Sequence, residues 1–124
     1  MKLLLIDVYN NKVETVEANG LEDYYKYLDC DTIDIIQRWI GDIPVNIICD
    51  DEGTFKEHPK ISAIDVWGDI ALVGNLLIAG GEVVDGELTE LTEGEIEVIK
   101  KWHLAEVTTK QYKEPYQIIT EFHF

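Results

Sequence analysis

One continuous stretch, residues 74–103, carries the signals of a strand, a turn, a helix cap and a helix in uninterrupted order. The apolar run Asn75 to Ile78 is closed by Gly80 and Gly81, which predicts a buried strand that ends at a turn. The valines of Glu82 to Glu87 precede Asp85-Gly86, a dipeptide that can reverse the chain tightly, so a hairpin is predicted there. The rest of the fold has to be arranged around this strand and hairpin.

The same stretch ends in a helix signal. Thr92 and Glu95 form a capping box, because each side chain can satisfy a free backbone donor at the start of a helix. Apolar residues follow at helical spacing as far as Trp102, and basic residues occupy the last turn, which suits the helix dipole. The sequence therefore predicts a helix from Glu93 to His103.

The remaining segments are mostly typical of strands. The predicted strands are Leu3 to Val8, Val13 to Glu17, Thr32 to Ile40, Pro44 to Cys49 and Tyr116 to Phe124. The isoleucine spacing of Thr32 to Ile40 also permits a helix. Leu21 to Leu28 has apolar residues at helical spacing, which predicts a short helix. We expect a hairpin that continues into an antiparallel meander, and then a long connection from Phe55 to Ile70.

These elements predict an α+β fold, a mainly antiparallel sheet of about five or six strands with two helices packed on it. The chain has 124 residues, which by size is one domain. A hydrophobic content of 46% excludes wholesale disorder. No apolar run approaches the roughly 20 residues of a membrane helix. The opening MKLLLIDV is followed at once by polar residues, unlike a signal peptide, so we expect a cytoplasmic protein.

The charge of the chain is strongly negative. There are 25 acidic against 10 basic residues, for a formal net charge of −15. Between Ile61 and Glu97 the acidic residues are accompanied by no Lys or Arg at all. Such a surface repels nucleic acid and anionic membranes, so direct binding to either is disfavoured.

No motif of enzyme chemistry is present. Cys30 and Cys49 lack the spacing of a zinc or redox site, so both are predicted to be buried apolar residues. Ser62 lacks a nucleophile-elbow setting, and no two histidines have the i, i+4 spacing of a helical metal site. The acidic run Asp50 to Gly53 does not match a calcium loop. We expect no catalytic residue, no metal and no cofactor, and hence a protein that is not an enzyme.

Several turn and cap motifs together resemble those of a known family. They are the opening strand-turn-strand, the turn C-D-D-E-G at Cys49 to Gly53, Pro59, Gly74-Asn75 before an apolar strand, and D-G-E-L-T-E-L-T-E-G-E at Asp85 to Glu95. The chain resembles the domain of unknown function 3846 family, small proteins of bacteria, phages and other mobile elements. The resemblance implies a phage or mobile-element setting and supplies no catalytic residues. It divides the chain into a domain of residues 1–104 and a C-terminal extension, residues 105–124, that ends in a strand.

The acidic segment, defined as Glu82 to Glu97, is the first candidate for function. Its carboxylates can imitate a row of phosphates and occupy the basic surface of another protein. The predicted partner-binding residues are Asp85, Glu87, Glu90, Glu93, Glu95 and Glu97. The function this favours is an accessory protein that inhibits a host defence or nucleic-acid-binding protein by covering its basic surface. A plainly solvated acidic face is the alternative for the same residues.

The second hypothesis is a binder of a small molecule such as a nucleotide signal. The predicted ligand residues of this binder are Trp67, Arg38, Lys56 and Lys60. A housekeeping domain is the third hypothesis. The other prominent aromatic residues, Tyr24, Tyr25 and Trp102, fall at positions predicted to face the core. The terminal strand Tyr116 to Phe124 is an edge unless a partner covers it, which leaves open the pairing of two copies through it.

Overall fold

The computed structural model of the protein describes residues 1–53 and 59–123. The helices are α1 (Leu21–Leu28) and α2 (Glu93–Trp102). The strands are β1 (Lys2–Asp7), β2 (Lys12–Glu17), β3 (Ile33–Ile40), β4 (Ile43–Asp50), β5 (Ile61–Asp65), β6 (Ile70–Val73), β7 (Leu76–Gly80), β8 (Val83–Val84), β9 (Glu87–Leu88), β10 (Leu104–Val107) and β11 (Tyr116–His123). Neither helix has the length and apolar character that a membrane crossing requires within the described ranges.

Nine of these strands form one sheet. Its order is β2-β1-β7-β4-β3-β11-β5-β6, and β10 pairs with β11 beside this path. Strands β8 and β9 form a separate small hairpin. All pairs are antiparallel except β5 with β11, which is parallel. The α+β class is therefore confirmed, but the sheet is larger than the five or six strands expected, and it is mixed rather than purely antiparallel.

Strand β7 lies between β1 and β4, and all five of its residues are buried. Its residues Leu76, Leu77 and Ile78 pair with β1, and Leu77 to Gly80 pair with β4. The expected meander is wrong at this point, because β7 separates the N-terminal hairpin from β4. A strand that is apolar on both faces is most stable where neighbours and covering elements shield both of them, and this requirement outweighs sequence proximity.

Alternation along β7 divides the core between the two faces of the sheet. Leu77 and Ala79 pack on one face with Leu28 of α1. Leu76 and Ile78 pack on the other face with Ile99 of α2. Each helix thus covers one face, and the period-2 alternation of a strand explains how one segment supplies both cores.

The last strand, β11, lies inside the sheet. Its first half pairs with β10, its second half pairs with β3, and β5 runs along its other side. Tyr116, Ile118, Ile119 and Phe122 are buried in the core. The backbone of β11 is therefore not an open edge, and residues 105–123 contribute strands to the same sheet as residues 1–104. Pairing of two copies through Tyr116 to Phe124 stays a prediction, and Phe124 lies outside the described residues.

Three further predictions, for residues 33–40, for residues 55–70 and for Trp102, can be compared with the structure. Residues 33–40 form strand β3 rather than the permitted helix. The expected long connection from Phe55 to Ile70 contains strand β5, while its residues 54–58 lie outside the described part of the chain. The predicted core position of Trp102 is wrong, because this side chain is 64% exposed at the end of α2. The Lys101 ammonium lies 5.2 Å from the centre of its ring, which gives the exposed indole a cation–π partner.

The turn between β3 and β4 is packed against β11 and the residue that follows α2. Gly41 has a φ of 58°, in the left-handed region that glycine adopts without strain. Its N–H donates to the backbone oxygen of Glu121 at 2.9 Å, and its carbonyl lies 2.7 Å from Nε2 of His123. A Cβ added at Gly41 would overlap the ring of His103. The turn can therefore hold only glycine without a shift of the packed imidazole.

We expect Gly41→Ala to lower the free energy of unfolding by about 2 kcal/mol or more, because left-handed strain and a steric overlap combine. Gly74→Ala is the matched control: Gly74 has a φ of 80°, but nothing lies within 4 Å of its added Cβ. This control should lose only about 1 kcal/mol. Denaturant unfolding of both variants measures the difference, and equal losses would show that the packing on His103 contributes nothing.

Candidate protein-binding surface

The hairpin β8–β9 projects from the end of β7. Val83 pairs with Leu88 and Val84 pairs with Glu87, and Asp85 and Gly86 form the two-residue turn. Asp85 has a φ of 52° and Gly86 a φ of 78°. Two consecutive positive φ angles define a type I′ turn, whose twist matches that of the flanking strands. The hairpin predicted from the Asp85-Gly86 dipeptide is therefore confirmed.

The base of the hairpin is held tightly against β7. The N–H of Gly80 donates to the backbone oxygen of Thr89 at 2.7 Å, and the Thr89 hydroxyl donates to the backbone oxygen of Glu82 at 2.7 Å. A Cβ at Gly80 would lie 2.6 Å from the backbone oxygen of Glu90. A Cβ at Gly81 would come as close to the backbone oxygen of Pro44. Both glycines are therefore required by close backbone approach, and the hairpin has a fixed position.

The acidic segment wraps around the end of the sheet. Leu88 packs with the core on the α1 face, whereas Leu91 and Ile99 are buried in the core on the α2 face. The chain thus passes from one face to the other between Leu88 and Leu91. Asp85 and Glu87 accordingly belong to the α1 side, and Glu93 and Glu97 belong to α2. The six predicted acidic residues form a curved band rather than a row on a single face.

Two of the six carboxylates hold the local structure together. Glu90 Oε2 accepts a hydrogen bond from the N–H of Lys2 at 2.6 Å, which ties the acidic segment to β1. Glu95 Oε1 accepts from the N–H of Thr92 at 2.9 Å, and Thr92 Oγ1 accepts from the N–H of Glu95 at 3.1 Å. The predicted capping box is confirmed. The other four, Asp85, Glu87, Glu93 and Glu97, are exposed, and we call them the acidic rim.

Exposed apolar side chains accompany the acidic rim. Val83 and Val84 are 53% and 52% exposed. Between the hairpin and α1 lies a groove with a volume of about 470 Å³, which we call the hairpin groove. Its lining includes Tyr24 of α1, Ile35 of β3, and Leu88 and Glu87 of the hairpin. Met1 and Asn19 also line it, and the Met1 ammonium group is bound by Glu17 and Asn19. The apolar walls and the carboxylate of Glu87 suit the aliphatic stem and the charged end of an arginine or lysine side chain.

The hydroxyl of Tyr24, at the hairpin groove, has a pKa above its ordinary value. Burial raises the pKa of Tyr24, and the neighbouring charge of Asp23 raises it further. The Tyr24 side chain is therefore neutral throughout the physiological range and offers the groove an aromatic face and an uncharged hydroxyl.

The residues of the small-molecule hypothesis lie at separate places. Trp67 is 85% exposed at the tip of β5–β6, where Asp65 Oδ1 accepts from the N–H groups of Trp67 and Asp69 at 2.9 Å each. Arg38 is half-buried on β3 and donates to the backbone oxygen of Gln37 at 2.8 Å. Lys60 lies directly before β5, with its ammonium group over the rings of Tyr112 and Tyr116. Lys56 lies outside the described residues.

Groups with potential reactivity are scattered. Ser62 is fully buried, and the described residues 1–53 and 59–123 contain no cluster of three His, Cys, Asp or Glu side chains that could hold a metal ion. Cys30 is half-buried and Cys49 buried, and both are free thiols. Burial raises the pKa of the Cys49 thiol to about 11, with further contributions from the charges of Asp34, Asp50 and Asp51. The Cys49 thiol is thus protonated and unreactive at neutral pH.

This pKa shift predicts a dependence of stability on pH. Because the folded-state pKa lies above the ordinary value of 9.0, the stabilising contribution is complete below pH 9 and is lost as the pH rises towards 11. We expect the wild type to lose about 1–2 kcal/mol more than Cys49→Ala does across this window. Urea unfolding at several pH values gives both curves, and parallel curves would refute a buried thiol with a raised pKa.

These features define a small α+β protein with an acidic rim and an apolar groove at one end of its sheet. The family model of the Domain of unknown function (DUF3846) matches residues 1–104, so the chain belongs to this family. The resemblance drawn from the turn and cap motifs is thereby confirmed. No curated protein and no solved structure matches the chain. The match ends at Leu104, the first residue of β10, so it stops before the interior strand β11.

Sequence reasoning found the acidic residues but missed the groove beside them. Tyr24 was predicted for the core and is half-buried at the groove, and Ile35 is 45% exposed in the middle of β3. Ile35 is one of the apolar residues whose alternation predicted β3, and the alternation alone does not show that this isoleucine is exposed. Its position opposite the hairpin depends on the tertiary arrangement, and no local pattern indicates it.

Proposed function

We propose that the protein acts by binding a basic surface of another macromolecule through the acidic rim and the hairpin groove. In its sharpest form it is an accessory protein of a phage or mobile element that inhibits a host defence or nucleic-acid-binding protein. The partner's cationic surface is then covered by carboxylates in place of phosphates. No catalytic step is part of this proposal.

The observation that carries the proposal is the exposed apolar surface beside Asp85 and Glu87, on the α1 side of the acidic band. An acidic face that only keeps a protein soluble needs no exposed valines and no groove next to its carboxylates. Val83, Val84 and Ile35 remain about half exposed there, although burying each would be favourable by roughly 1–2 kcal/mol. Protein interfaces combine such an apolar centre with a polar rim. The arrangement therefore supports a binding surface rather than a solvated face.

The geometry also supports a rigid mode of binding. The type I′ turn, the two glycines and the capping box fix the acidic rim before any partner arrives, so little conformational entropy is lost on association. Opposite charges would accelerate the encounter, and the apolar groove would then hold the partner's long basic side chains. Such binding is strongest at low ionic strength, because salt screens exposed charges.

We expect the triple variant Glu87→Lys, Glu93→Lys and Glu97→Lys to bind its partner at least about tenfold more weakly than the wild type. Glu90, Glu95 and Asp85 stay unchanged, because the first two make structural hydrogen bonds and the third holds a positive φ. Proteins retained by the immobilised wild type in a host lysate and released by salt are identified, purified and titrated by calorimetry with each variant.

A second triple variant, Glu14→Lys, Asp51→Lys and Glu106→Lys, changes the net charge by the same amount at exposed positions away from the acidic rim. It should keep nearly the wild-type affinity for the purified partner. Equal weakening by both triple variants would mean that only net charge matters. Unchanged affinity of the rim variant would refute the proposal outright. Circular dichroism and thermal unfolding confirm that both variants are folded.

A further inference from the structure

Another cavity lies at the β6 edge of the sheet, between β6 and the segment that joins β10 to β11. Its volume is about 320 Å³, within the range of sites for small ligands. We propose that this C-terminal cavity is a binding site for a small aromatic molecule that carries an anionic group, either a carboxylate or a phosphate. This site is independent of the acidic rim, and it shares no residue with it.

The walls of the C-terminal cavity are apolar and aromatic. Ile70 and Val73 of β6 form one side, and Tyr112 and Tyr116 contribute to the other. Ile70 is 62% exposed, so the apolar floor is open to solvent. The rings of Tyr112 and Tyr116 meet edge to face, with centroids 6.5 Å apart and an interplanar angle of 80°. A flat apolar ring can pack between β6 and these two rings.

One of the residues that line this cavity carries a buried hydroxyl. Tyr116 is only 1% exposed, and its hydroxyl has no hydrogen-bond partner at normal distance and angle among the residues that the structure describes. Burial raises the pKa of Tyr116, Tyr112 raises it further, and the nearby backbone of Ile61 lowers it in part. The hydroxyl therefore keeps its proton. A buried donor without an acceptor is costly, and an oxygen atom of a bound ligand would satisfy it.

The charged groups that lie in or next to the described lining of this cavity are lysines, although the chain as a whole is acidic. Lys110 lines it, and the Nζ atom of Lys60 lies 4.6 Å and 4.3 Å from the ring centres of Tyr112 and Tyr116. Within the described part of the chain, no acidic residue is among the lining residues. In a protein with a net charge of −15, a cavity with two nearby ammonium groups and no lining carboxylate is selective for an anion.

This site differs from the one predicted from the sequence for a nucleotide signal. Lys60 belongs to both sets of residues, because its ammonium group lies over the rings of Tyr112 and Tyr116. Trp67 and Arg38 do not line the C-terminal cavity, whereas Lys110, Tyr112 and Tyr116 do. Three of the defining residues lie beyond residue 104, where the family match ends. The C-terminal strand β11 and the segment before it are thus required to form the cavity.

The test is a titration of the isotope-labelled full chain with 1-naphthoate, 1-naphthamide and adenosine monophosphate, followed by amide chemical shifts. We expect 1-naphthoate, the nucleotide or both to bind with a Kd of about 1 mM or tighter, with shifts at Ile70, Val73 and Tyr112. The neutral amide should bind several-fold more weakly than the naphthoate. A preference for the carboxylate or for the phosphate identifies which anionic group the site takes.

Variants connect binding to the named groups. Tyr116→Phe keeps the ring and removes the hydroxyl, and Lys110→Gln removes the lining charge. Each should weaken binding of the preferred anion by about 3- to 10-fold. Lys113→Gln is the matched control, because Lys113 is an exposed residue of the same segment that does not line the cavity. No binding of either anion, equal binding of naphthoate and naphthamide, or equal effects of the two lysine variants would overturn the proposal.

Discussion

The burial of β7 on both faces is the constraint on which the rest of the structure depends. A run of five apolar and small residues cannot lie at an edge or face solvent, so β1 and β4 must flank it and a helix must cover each face. Two cores follow from one strand, since its alternating residues point to opposite sides. The same placement puts the end of β7, with Gly80 and Gly81, where the acidic segment leaves the sheet.

The acidic segment therefore has a structural side and an exposed side. Glu90 and Glu95 fasten it to β1 and to the start of α2, while the acidic rim remains exposed. Close packing at Gly80 and Gly81 holds the base of the hairpin against the sheet. The hairpin keeps exposed valines and a groove next to exposed carboxylates. A surface with strong repulsion between like charges can in this way still present a defined shape.

Charge is distributed unevenly over the molecule. The acidic rim lies beyond the end of the interior strand β7, whereas Lys60 and Lys110 lie beside the C-terminal cavity at the β6 edge of the sheet. A ligand with an anionic group is repelled by the first surface and attracted by the second, and a basic protein experiences the reverse. The two proposed binding surfaces would therefore not compete for the same class of partner.

Local physical chemistry let the sequence by itself determine most of the elements. The capping box, the Asp85-Gly86 turn and the strand that ends at Gly80 follow from neighbouring residues, and so did the family resemblance. The tertiary structure alone decided the position of β7 between β1 and β4 and the parallel pairing of β11 with β5. It also decided both cavities and the exposure of Trp102. These features depend on contacts between residues far apart in the chain, and their free energies come from burial that no local pattern records.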